Sequence, residues 1–127
     1  MLTAFATGFG TGIRPEPPVS LADWSDEKRI LSGKAASEPG KWRTSRVPYM
    51  REIMDCLSVT SDVQRISLMK GAQIAATETG NCWVAYVVDH VPGPMMVVQP
   101  TTDLGKRWSR QRFGPMVEDM PCLAEKI

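Results

Sequence analysis

Between Asp62 and Gln99 the hydrophobic pattern changes period twice, and that change restricts the fold more than any other feature of the chain. In "DVQRISLMK" (62–70), Val63, Ile66, Leu68 and Met69 are interrupted by Arg65, a pattern suited to a short buried strand. From Thr77 onward Cys82, Trp83, Tyr86, Val87 and His90 recur at three and four, the repeat of a helix. Pro92, Gly93 and Pro94 stop that helix. "MMVVQ" (95–99) is apolar except at its end, as a strand covered on both faces would be. Strand, helix and strand in this order predict an α/β fold with a β-α-β core, its parallel strands joined by a right-handed crossover. Two strands are too few for an independent sheet. The chain is therefore expected to be the front part of something larger, with a third strand due beyond Ile127.

Helices are predicted around this core. Ser20 suits an N-cap for "SLADWSDEKRIL", with Asp23 in a capping-box-like position and Gly33 as the stop. Leu21, Trp24, Ile30 and Leu31 would share its buried face. Residues 32–48 are rich in turn formers and should wrap the surface. Pro48 suits the start of "PYMREIMDCLS", where Tyr49, Ile53, Met54 and Leu57 fall on one face. A further helix is expected over 100–120, capped by Thr101 or Thr102, with Leu104, Trp108, Gln111 or Phe113, and Met116 inward and a kink at Gly114-Pro115. Residues 1–19 read as a flexible leader and 20–127 as the folded unit.

Bulk composition excludes some functions and selects none. Hydrophobic residues make up 43% and charged residues 23%, a globular balance, and the formal net charge is +1. That total favours neither nucleic acid nor membrane as a partner. No apolar run approaches the ~18 residues of a membrane span. Cys56, Cys82 and Cys122 are widely spaced and His90 is the single histidine, so no zinc-site spacing arises. Free thiols in a reducing cytoplasm are expected. Charge is uneven, however: "KRWSRQR" holds Lys106, Arg107, Arg110 and Arg112 without an acid.

The strand-to-helix join reads "MKGAQIAATE" (69–78), where a phosphate-binding loop would lie. Against the template G-x-x-x-x-G-K-[ST], Lys70 stands for the first Gly, Ala75-Ala76 for Gly-Lys, and only Thr77 fits. Small residues at 71, 72, 75 and 76 would let an anion approach the backbone, and Thr77 stands where a magnesium ligand normally sits. Ala76 cannot balance phosphate charge, whereas Lys70 could reach back over the loop. If φ at Ala75 is positive, alanine there costs roughly 1 kcal/mol relative to glycine. The other reading is a plain small-residue turn with no ligand.

"SLADWSDEKRILS", "EPGKWRTSRVPYMREIMDCLS", "MKGAQ…TE" and "GPMMVVQPTTDLGKRWSRQRFGPMVEDMP" follow one another as an ordered set. Together they resemble the N-terminal part of the large terminase subunit of lambda-like tailed phages, from about Ser20 to the end. The resemblance implies a partial P-loop NTPase fold and ATP with Mg as cofactors. It also implies a packaging motor whose full-length form cleaves concatemeric DNA. Its partners would be the small terminase subunit, double-stranded DNA and the procapsid portal, in the host cytoplasm. Carried over by position, Lys70, Gly71, Ala72, Gln73, Ile74, Ala75, Ala76, Thr77 and Glu78 would form the ATP loop. Thr77 would meet Mg, and Tyr49 would stack on the base.

Alternatives remain at this level. Tyr49 reads equally as a hydrophobic staple for its helix. Lys106, Arg107, Arg110 and Arg112 suit a DNA backbone or a solvated helix face. No apolar run ending in Asp-Glu and no acidic nuclease cluster is present, so no catalytic residue is assigned and hydrolysis by this chain alone is not expected. The competing reading is a non-catalytic interaction module or prophage remnant that meets DNA or the small subunit without ATP.

Overall fold

Ser20 starts the first helix by reciprocal capping. Its Oγ accepts the Asp23 backbone N–H at 3.1 Å and donates to Asp23 Oδ2 at 2.9 Å. Helix α1 then runs Leu21–Lys28, burying Leu21, Ala22, Trp24 and Ser25. It ends earlier than expected, because Ile30–Leu31 forms a two-residue strand, β1, instead of a last turn. The computed structural model describes residues 16–34 and 36–127; the rest of the expected leader, 1–15, lies outside the described residues.

Strand β1 pairs antiparallel with β2, Gly40–Lys41, in the register Ile30 to Lys41 and Leu31 to Gly40. Gly40 has φ 121°, a backbone state that side-chain-bearing residues rarely adopt. The ribbon is anchored by Trp42, which is buried; its N–H donates to the Arg29 carbonyl at 2.9 Å and its indole Nε1 to Thr44 Oγ1 at 3.0 Å. Two 3₁₀ turns, Thr44–Arg46 and Pro48–Met50, lead into α2, Arg51–Cys56. Here the inward face differs from the expected one. Met50 and Met54 are buried one helical turn apart, and Tyr49 faces solvent, because the 3₁₀ turn rotates residue 49 off the helix stripe.

Helix α3, Ala76–Asp89, is the long element of the molecule and packs against α1. Its buried face carries Cys82, Ala85 and Tyr86, with Tyr86 edge-on to Trp24 at a centroid separation of 5.8 Å. Trp83, expected inward, is 37% exposed. Helix α4, Thr102–Trp108, is capped by Thr101 Oγ1, which accepts the Leu104 N–H at 3.3 Å. It widens into a π segment, Ser109–Phe113, and resumes as α5, Gly114–Asp119, before α6, Pro121–Ala124. Pro115 explains the widening: its ring would meet the carbonyl four residues back, and it has no N–H to give. The Gly114 N–H reaches back five residues to the Ser109 carbonyl. Met116, Met120 and Leu123 close the core from this side.

The predicted β-α-β core with parallel strands is not formed. Among the described residues the one sheet is β1–β2, and the molecule is mainly helical. Residues 62–70 and 95–99 take no regular structure. A strand exists only through a neighbour's hydrogen-bonding groups, and neither segment pairs with the other or with β1–β2. Their apolar side chains stand open: Met69 fully, Met96 at 84% and Val98 at 74%.

Candidate functional site

The join between 62–70 and α3 is built on left-handed backbone at residues without the freedom of glycine. Gln73 has φ 56° and Ala75 φ 61°. The condition attached to Ala75 in the sequence is thus met, and an alanine there costs about 1 kcal/mol relative to glycine. Ala75 is the N-cap of α3 and has no side-chain oxygen to offer. The first backbone bond of the helix runs from the Thr79 N–H to the Ala75 carbonyl at 2.9 Å. The amides of Ala76, Thr77 and Glu78 therefore precede the ladder and face outward from the positive end of the helix dipole.

These residues form one wall of a cleft of about 930 Å³, with Lys70, Gln73, Ile74, Ala75, Ala76, Thr77 and Glu78 along it. The opposite wall comes from the β2 region, with Lys41, Arg43 and Arg46, and Arg112 joins from the π segment. Lys41, Arg43 and Arg46 are not among the site residues expected from the sequence. The signal was present in "KWR", an alternation of cation, anchor and cation, but periodicity of three residues is too short to read without the fold. Gly71 and Ala72 lie exposed in the loop but do not line the cleft, and neither does Tyr49, which is 57% exposed.

Glu78 is held rather than free. Its Oε2 accepts from Arg29 Nη2 at 3.2 Å, and its Oε1 from Arg112 Nη1 and Asn81 Nδ2, both at 3.2 Å. Asn81 Oδ1 in turn accepts the Trp108 indole N–H at 2.9 Å. The network ties the start of α3 to α1 through buried Arg29 and to the basic helix through Arg112 and Trp108. Arg112 thus belongs to the cleft and to Glu78, while Lys106, Arg107 and Arg110 are exposed on α4 and the π segment.

A second cavity of about 690 Å³ lies on the other side of α3, between Trp83, Val84 and Val87 and the 93–99 segment. Its lining is apolar apart from groups such as Thr77, Asn81 and Gln99, and carries no charge. It does not suit a phosphate. Among the described residues no group of three or more His, Cys, Asp or Glu could hold a metal ion. A magnesium ion here would depend on Thr77 and on phosphate oxygens, which is the usual way Mg²⁺ is held with nucleotides.

A family model for the ATPase domain of the phage terminase large subunit gpA matches residues 36–127, which include the loop, both walls of the cleft and the basic helix. The chain belongs to this family. No curated protein and no solved structure matches it. Membership in the terminase ATPase family implies ATP and Mg as cofactors of the full-length proteins. No helix of the described residues is long and apolar enough to cross a membrane.

Proposed function

We propose that the cleft holds the triphosphate of magnesium-bound ATP, as the nucleotide pocket of a viral DNA-packaging terminase. The observation that carries the reading is the meeting of Lys70 with the open amides of α3 on one wall of a large basic cleft, in a chain of the terminase ATPase family. Lys70 supplies the ammonium that Ala76 lacks. The backbone of Gln73, Ile74, Ala75 and Ala76 lines the phosphates, with Gly71 and Ala72 in the exposed bend beside them; Thr77 meets Mg, and Glu78 braces the loop through its arginines. Tyr49 contacts the base only by turning inward from its exposed position. When bound, MgATP supplies the phosphoryl-transfer energy that full-length family members couple to DNA movement. This chain's part is to bind and orient; no described residue is assigned to activate water.

The finer fold belongs to the same reading. Residues 62–70 and 95–99 enter a parallel sheet in the complete motor, with 1–19 as a leader and 20–127 as the front of the ATPase domain. Small subunit, double-stranded DNA and portal are its partners.

Isothermal titration of the full chain with MgATP tests the proposal. Saturable binding that falls about tenfold or more in Lys70→Ala is expected, the size of a lost charge-assisted hydrogen bond. Absence of binding in the wild type, with binding gained in the Ala75→Gly, Ala76→Lys double variant, would instead identify a decayed site.

A second reading has its own observation. Lys106, Arg107 and Arg110 are exposed, and no ion pair among the described residues occupies them. They track a DNA backbone whether or not ATP binds. Binding of a short duplex, measured against salt, should lose about one unit of slope in log–log form for each charge removed. A slope unchanged in the triple alanine variant rules this out.

A further inference from the structure

We infer that Lys41 of β2 and Arg43 just beyond it, across the cleft from the loop, supply phosphate countercharge in addition to that of Lys70. This rests on the reading of the cleft as a nucleotide site and extends it to a wall that the phosphate-loop template does not include.

Three observations carry it. First, charge on the cleft is unbalanced in a specific way. Arg46 is taken by Glu38 at 2.8 Å, and Arg112 pairs with Glu78 at 3.2 Å. The Lys41, Arg43 and Lys70 side chains have no hydrogen bond or ion pair among the described residues, yet all three line one cleft. Unpaired cations from two separate segments repel one another across a shared space, and an anion between them removes that cost.

Second, their direction is fixed by the backbone. Lys41 lies in β2 and Arg43 is extended, at φ −139° and ψ 109°. In extended chain, alternate side chains share a face. Trp42 is buried between them, so Lys41 and Arg43 emerge on the side away from the core.

Third, the two walls are tied to one residue. The Arg29 carbonyl accepts the Trp42 N–H at 2.9 Å, and the Arg29 guanidinium holds Glu78 at 3.2 Å. Asp26 Oδ1 also accepts the Thr44 N–H just beyond Arg43. The strand is therefore held relative to the start of α3 before any ligand arrives. A cation presented on such a wall loses less freedom on binding than one on a free loop.

The ligand class is a nucleoside triphosphate, gripped through its phosphates. The test titrates the full chain with MgATP and, separately, with inorganic triphosphate. Lys41→Ala and Arg43→Ala should each weaken both ligands about tenfold, and the double variant more, as expected for lost charge-assisted contacts. Both side chains are unpartnered, so the thermal midpoint should stay that of the wild type. Arg65→Ala removes one exposed charge away from the cleft and should leave binding unchanged. If the double variant binds both ligands like the wild type while Lys70→Ala does not, the strand contributes nothing and only the nucleotide reading survives. If the double variant weakens ATP but not triphosphate, the contact is to base or ribose and the inference fails. If the wild type binds neither ligand, both fail together.

Discussion

The two ends of α3 are built on opposite principles. At its C-terminal end Asp89 is buried and fully engaged, accepting from Trp24 Nε1 at 2.9 Å, Lys28 Nζ at 2.8 Å and Lys126 Nζ at 3.0 Å. His90 beside it accepts the Val19 N–H at Nε2 and faces Glu16 at Nδ1, tying residues 16–19 to the helix. At its N-terminal end Glu78 is paired with Arg29 and Arg112, but the cap is an alanine with positive φ, no side chain caps the first amides, and Lys41, Arg43 and Lys70 line the cleft with no ion pair among the described residues. One helix thus has a locked end, where charge is cancelled inside the protein, and an open end, where charge is left for something else to cancel. The stability of the molecule should reside at the first, and ligand affinity at the second.

The sharpest way to break this contrast is Asp89→Ala. Removing the carboxylate strands the Trp24 indole N–H and the partly buried Lys28 and Lys126 ammonium groups. Both ammonium groups keep more than a third of their surface in water, so the loss is that of the charge-assisted hydrogen bonds, about 2–3 kcal/mol. Urea unfolding should show that loss in the midpoint, while any MgATP affinity of the folded fraction stays the same. A stability equal to the wild type would show that the C-terminal end is no more of an anchor than the loop.

Acid should dissect the same end more gently. Burial pulls the Asp89 carboxyl upward, but hydrogen bonds from Lys28, Lys126 and Trp24 outweigh burial and hold its pKa at about 2, against an ordinary 3.8. Because the folded value is depressed, the stabilisation is fully present above pH 3.8 and is lost as pH falls through about 2. The amount is roughly 2 kcal/mol for a shift of this size. Unfolding free energy followed from pH 5 to pH 2 should fall by about that much more in the wild type than in Asp89→Ala. Parallel declines in the two proteins would assign the acid sensitivity elsewhere.

What could be read from the sequence divides along the same line. Local chemistry was legible: Ser20 and Asp23 cap α1, Thr101 caps α4, and the Gly114-Pro115 pair disturbs its helix. The small-residue join before α3 was legible as well, including the consequence of a positive φ at Ala75. What failed depended on distant partners. Residues 62–70 and 95–99 have strand composition, but a ladder needs neighbours that composition does not reveal, and among the described residues none pairs with them. Tyr49 was assigned to a helix face that a 3₁₀ turn rotates away. Asp89 and Arg29 were invisible for a related reason. A charged residue reads as surface until the fold brings Lys28, Lys126 and Trp24, or Glu78, against it. The opposite wall of the cleft belongs to this second class, since only the β1–β2 pairing brings Lys41 across from Lys70.

The smallest expected effect is at Ala75, and it separates strain from decay at the open end. Ala75→Gly places at φ 61° the one residue that adopts this conformation without a Cβ penalty. The folded state should gain about 1 kcal/mol, a rise of several degrees in the thermal midpoint for a chain of this size. The cleft should change little, because the bend is already made and glycine only removes its cost. MgATP affinity should then remain near the wild-type value while the midpoint rises. If affinity rises with stability, the alanine is distorting the loop away from its ligand. The bend would then be a worn phosphate loop, and the basic wall opposite would be compensating for poor geometry as well as for the missing ammonium at position 76. If neither changes, the positive φ carries no strain, and the open end of α3 is as relaxed as the locked one.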